Sequence, residues 1–120
     1  MVLKTSGMVD ILRNALDKEG VMIAFVFGSV ASNQEGATSD VDVMVIGDVG
    51  LRTLSGWLSG VSEQIGREIN PHVMTEHEFR KRRHSHDHFL THVLESEKLF
   101  IKGSEHDLEA MGGERVAQIP

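Results

Sequence analysis

A chain of 120 residues with a net charge of −6 and no cysteine has the size for one hydrophobic core, and it excludes disulfides and thiolate metal centres. Its 40 % apolar and 25 % charged residues are ordinary globular composition, and no apolar run is long enough to span a membrane. The acidic balance argues against non-specific DNA binding, which needs a positive surface. The N-terminus lacks the charged-then-apolar pattern of a secretory leader, so a cytoplasmic location is expected.

Met8, Ile11, Leu12, Ala15 and Leu16 recur at helical spacing and predict a helix that stops at Gly20 and covers one face of a sheet. Val21 to Phe27 is a nearly continuous apolar run, as in a central strand buried on both faces. Gly28 follows it, and a glycine at a strand-to-helix turn lets a ligand approach the backbone. The amides after it, at a helix N-terminus, attract an anion such as a triphosphate. Ser29 adds a hydroxyl that can donate to a phosphate oxygen. Residues 29–39 are rich in Gly, Asn, Ser and Thr and read as a loop, with Ser39 orienting the turn before Asp40.

Asp40 to Ile46 is the second strand. A side-chain period of two puts Asp40 and Asp42 on one face, about 6–7 Å apart along the chain, with Val41, Val43 and Val45 opposite. Two hard-oxygen ligands on a rigid element can hold one or two Mg²⁺ ions, with substrate phosphates completing the shells. Asp48 is placed as the N-cap of a helix from Gly50 to Ile65, whose apolar face is Leu51, Leu54, Trp57, Leu58, Val61 and Ile65. Trp57 is assigned to the core. Arg67 to Met74 is the third strand, with Ile69 and Val73 on one side and Glu68, Asn70 and His72 on the other. Pro71 favours an edge position.

Thr75 and Glu78 fit a capping box for a helix running into the basic stretch Arg80 to Arg83. A helix over Asp87 to Leu94 is expected to bury Phe89, Leu90, Val93 and Leu94. Lys98 to Ile101 reads as a short strand closed by Gly103. Ser104 opens a last helix anchored by Leu108 and Met111, and the tail 112–120 is expected to fray. His84, His88 and His92 stand four apart, which on a single helix would align them for Zn²⁺ or Ni²⁺. A solvated polar face is the reading preferred for them, and a solvated helix end for the basic stretch.

Gly28-Ser29, a short helical turn, a polar linker, and Asp40-x-Asp42 within a strand together resemble the signature of the nucleotidyltransferase superfamily that includes DNA polymerase beta, in its minimal form (MNT). The linker departs from it: Ser32 and Asn33 stand where members often carry an arginine and a glycine. The resemblance implies one α/β (α+β) nucleotidyltransferase domain over 1–120, with its core motifs in 21–74. Its small mixed sheet would have three strands plus a short fourth, flanked by helices. It implies transfer of a nucleoside monophosphate from an NTP, such as ATP, to a hydroxyl acceptor, with Mg²⁺ or Mn²⁺. Asp40 and Asp42 would be catalytic metal ligands, and Glu68 would be the third carboxylate, supplied by the neighbouring strand. Gly28, Ser29 and Ser39 would bind the nucleotide phosphates. The acceptor could be a protein, an RNA or a small molecule. Domains of this kind are often antitoxins paired with a helical HEPN-type toxin, so the alternative is a binding module. The missing wall of the site would then come from that partner or from a second copy of this chain.

Overall fold

The computed structural model describes residues 5–28 and 40–111. Among them the order is α1 (Thr5–Leu16), β1 (Val21–Phe27), β2 (Val41–Gly47), α2 (Leu51–Leu58), α3 (Val61–Ile65), β3 (Ile69–Met74), α4 (Glu76–His84), α5 (His88–Glu95), β4 (Lys98–Lys102) and α6 (Glu105–Met111). The strands form one mixed sheet in the order β3-β2-β1-β4. The β1–β2 and β1–β4 pairs are antiparallel, whereas β2 and β3 run parallel. A parallel pair needs a crossover, and α2 with α3 supplies it. The architecture is the expected α+β sheet of three strands and a short fourth, with helices on both faces.

Alternation along the strands divides the core in two. Ala24, Val26, Val41, Val43 and Val45 pack with Leu12, Leu54 and Val61, that is, against α1, α2 and α3. Ile23, Phe25, Phe27, Met44 and Ile46 pack with Phe79, Leu90 and Leu108, against α4, α5 and α6. Each of the larger of these side chains, fully buried, contributes about 1.5–3 kcal/mol. Val21 and Ile23 are two apart yet join opposite clusters, because the β1–β2 register shifts between them. Trp57 is partly buried against the first cluster, with the Lys18 ammonium 5.8 Å from its ring centre. No described helix is long and apolar enough to cross a membrane.

Local caps follow the sequence closely. The Thr75 hydroxyl accepts the Glu78 N–H at 3.0 Å, and Asp87 Oδ2 accepts the Leu90 N–H at 2.9 Å. The Ser104 hydroxyl does the same for Asp107 at 3.2 Å. Three expectations are corrected. The helix foreseen over 50–65 is two helices, broken where Gly60 takes a φ of 88° and redirects Val61 and Ile65 into the core. Asp48 does not cap it: Gly50 is the N-cap, with no side chain accepting there. Phe89 is not buried with Leu90 and Val93 but remains 37 % exposed. It lies about 100° around the helix from Leu90, which turns it toward the sheet rim.

Candidate active site

Three strand ends meet at one rim of the sheet. The C-terminal end of β1 lies beside the N-terminal end of β2, so Phe27 faces Asp42. On the other side β3 begins next to β2, and Asn70 faces Asp42. Asp42 shares its strand face with Met44 and Ile46, both fully buried, so the carboxylate is held by a rigid segment. Asp40 stands exposed immediately before β2.

The Asn70 amide gathers the two carboxylates. Its Nδ2 donates to Asp40 Oδ2 at 3.3 Å and lies 3.5 Å from Asp42 Oδ1. His72, two residues on and on the same face, places Nε2 3.7 Å from Asp42 Oδ1. About a third of each side chain in that pair is exposed (34 % and 37 %). Gly28 closes the other side. Its φ is 87°, and a Cβ there would lie 3.4 Å from Asp42 Oδ2. The left-handed turn is what calls for glycine, and a single Cβ would just meet the carboxylate in ordinary contact.

Behind the carboxylates three rings touch. The His72 ring is 5.5 Å from Phe27 and 5.3 Å from Phe89, and Phe27 and Phe89 are 6.3 Å apart, edge to face. Phe27 is buried, whereas Phe89 stands at the surface.

The structure therefore brings Gly28, Asp40 and Asp42 together. Glu68 is exposed and precedes β3 by one residue, and its carbonyl accepts the Val41 N–H at 2.8 Å. By ladder order it lies alongside Asp40. Among the described residues no three His, Cys, Asp or Glu side chains converge as a metal-ligand group. Ser29 and Ser39 lie outside the described residues. The four-residue spacing of His84, His88 and His92 does not run along one helix. α4 ends at His84, His86 turns with a φ of 59°, and α5 starts at His88. The basic stretch is engaged locally: Arg80 pairs with Glu76 and donates to Met111 O, and Arg82 pairs with Glu78 at 3.1 Å.

Asn70 and His72 were visible in the sequence only as face-mates of Glu68. The signal that could have assigned them was the crossover itself. Once β2 and β3 are taken as parallel neighbours, side chains at 70 and 72 must stand beside those at 42 and 44.

Comparison with known proteins follows the same lines. The model of the family described as Polymerase beta, Nucleotidyltransferase matches residues 10–106. No curated protein matches the chain. Among solved structures, the fold is similar to that of a toxin–antitoxin with AMP-PNP (TM-score 0.60, 9% identity, 91% of this chain and 84% of that one). It is similar to a mutant of the toxin–antitoxin MntA-HpeT (TM-score 0.59, 9% identity, 96% and 86%). A third is a tri-AMPylated Shewanella oneidensis HEPN toxin in complex with MNT antitoxin (TM-score 0.53, 10% identity, 93% and 80%). At these identities the likeness is one of fold.

Proposed function

The chain belongs to the polymerase beta nucleotidyltransferase family, and on that premise we propose that it transfers a nucleoside monophosphate from an NTP, ATP foremost, to a hydroxyl acceptor. The observation that carries this reading is the pair Asp40 and Asp42, gathered by Asn70 and faced by the bare backbone of Gly28. The donor set suits Mg²⁺ or Mn²⁺: two hard-oxygen carboxylates, partly open to solvent, leaving positions for water and phosphate oxygens. When bound there, such an ion supplies charge neutralisation and polarisation of the phosphates.

The chain's own groups supply the positioning. Asp40 and Asp42 would hold the ion, kept side by side by the strand and by the Asn70 amide. Gly28 lets the phosphates approach the main chain, and Ser29 and Ser39 add hydroxyls. Glu68, alongside Asp40, is the acid available on the acceptor side. The acceptor oxygen forms a bond to the α-phosphorus as the bond from that phosphorus to the bridging oxygen breaks. Pyrophosphate leaves, and the acceptor's proton passes to Glu68 or water. Incubation with each labelled NTP, Mg²⁺ or Mn²⁺ and a cell extract tests this. Label should appear on an acceptor with at least one NTP, and no label from any of the four counts against transfer.

Gly28→Val separates the cradle from the fold. A branched residue at this φ costs about 1–3 kcal/mol, and its methyls would crowd Asp42. The variant is expected to remain folded with a lowered melting temperature and to lose NTP binding more steeply than Mn²⁺ binding. Equal losses, measured by titration calorimetry, would make Gly28 a folding residue alone.

A second reading is favoured by the fold shared with an MNT antitoxin bound to a HEPN toxin. Here the chain acts as the antitoxin of such a pair, by contact or by modifying its partner. The site lies on a sheet rim, and a helical partner or a second copy of this chain would supply the missing wall. Co-expression with the product of the adjacent gene and light scattering distinguish these. A stable complex with a small helical protein supports the antitoxin reading, and a monomer with full turnover removes the need for any partner.

A further inference from the structure

We propose that Phe89, backed by His72 and Phe27, is the stacking platform for the nucleobase of the NTP. The inference rests on the transferase reading above and names a base-binding element within the same site.

The argument starts from an anomaly. Phe89 sits on a helix whose neighbouring apolar residues, Leu90 and Val93, are buried, yet it keeps 37 % of its surface in water. Leaving that ring exposed forgoes part of the roughly 1.5–3 kcal/mol its burial would contribute. Nor is its location arbitrary. His72 touches both groups: its Nε2 is 3.7 Å from Asp42 Oδ1, and its ring centre is 5.3 Å from that of Phe89. The His72 and Phe89 rings are inclined by 38°, and Phe27 packs edge-on against Phe89 at 77°, so both rings hold Phe89 in place. Phe27 is itself the residue before Gly28. The phosphate-facing turn, the carboxylate pair and the exposed ring thus form one continuous surface, fixed by β1, β2, β3 and α5.

An NTP bound through its phosphates at Asp40, Asp42 and Gly28 must set its base a sugar's length away. The ring cluster adjoins the carboxylates through His72, which neighbours both Asp42 and Phe89, and the exposed Phe89 ring offers an aromatic face on which a base can stack. Such a platform accepts any base through its π-face, so it raises affinity without strong choice among bases. The neighbouring carboxylates repel free phosphates and pyrophosphate in the absence of a cation, so a base anchor also helps retain the substrate before the metal arrives.

The test compares two ligands that share the phosphates and differ in the base. Binding of ATP and of inorganic tripolyphosphate, each with Mn²⁺, is measured by calorimetry for the wild-type chain, Phe89→Ala and Phe89→Trp. Phe89→Ala should weaken ATP by about tenfold or more, the range of one base–aromatic stack, and leave tripolyphosphate unchanged. Phe89→Trp should retain or tighten ATP. An unchanged ATP affinity in Phe89→Ala overturns the proposal. So does an equal loss for both ligands, which would mark a structural role. Unchanged ATP affinity with slowed transfer would assign the ring to the acceptor and would likewise overturn it. If the wild-type chain binds neither ligand, the transferase reading fails, and this inference fails with it.

Discussion

Asp42→Asn is expected to abolish the stabilisation of the protein by NTP with Mg²⁺ or Mn²⁺ while leaving the fold intact. The amide has the shape of the carboxylate, and Asp42 sits at the rim with 37 % of its side chain exposed, so no core contact is lost. What disappears is one of two charged ligands. In the wild-type chain a ligand held at a hundred times its dissociation constant adds about 2.7 kcal/mol. For a domain of this size that corresponds to a rise in melting temperature of about 10 °C. The variant should show almost none of it, and its transfer rate should fall by about a thousandfold or more, since ligated metal contributes several kcal/mol to the transition state. Without ligand the variant should be no less stable, because the mutual repulsion of Asp40 and Asp42 is relieved. A thermal-shift series with and without NTP reads both effects. A wild-type-sized shift in Asp42→Asn would sink the assignment of the metal pair.

The largest expected loss of stability lies far from that site. Gly47 ends β2 opposite Val21, the first residue of β1, and a Cβ on Gly47 would run into the carbonyl oxygen of the preceding Gly20. That oxygen cannot withdraw freely, since it accepts the Asp48 N–H at 2.9 Å. Relief therefore requires the two central strands to separate at this end. Gly47→Ala is expected to cost about 3 kcal/mol or more, at the upper end for overpacking, against a total of about 5–15 kcal/mol for a native domain. Gly56→Ala is the control. It lies within α2 with nothing near its missing Cβ, so alanine should stabilise it by up to about 1 kcal/mol. Chemical denaturation of both variants tests the pair. A Gly47→Ala midpoint close to wild type would show that the strands accommodate the methyl group.

The carboxylate pair and the glycine beside it were legible because they depend on strand parity and on one turn, both local properties. The faces of β2 followed from alternation, and the helix starts at Thr75 and Ser104 from side-chain chemistry, whereas Asp87, read as the first residue of its helix, is its N-cap. What escaped was set by tertiary geometry. An apolar stripe from Leu51 to Ile65 reads as one helix, since Gly60 costs a helix only about 1 kcal/mol. The core overrides that preference and turns the chain there. The histidine row, read as a solvated face, is exposed, and His86 in a left-handed turn divides it between two helices. Phe89 looked like core because its neighbours are. Its exposure depends on where α5 lands relative to the sheet rim. Asn70 and His72 needed the strand order as well as the strand.

The strand order also bears on how the chain folds. β1 and β2 are near in sequence, and β3 joins them after one helical crossover, so the rim with Asp42 and Asn70 can assemble from the first two-thirds of the chain. β4 comes much later, yet it pairs with β1, Phe27 opposite Lys98 and Phe25 opposite Phe100. Until β4 has been made, one edge of the most apolar strand in the protein is unpaired. During synthesis that edge is a template for association with other chains, and its closure is a long-range contact that slows the final step of folding. Substitutions in β4 are accordingly expected to act first on the yield of folded protein and only afterwards on the chemistry of the opposite edge.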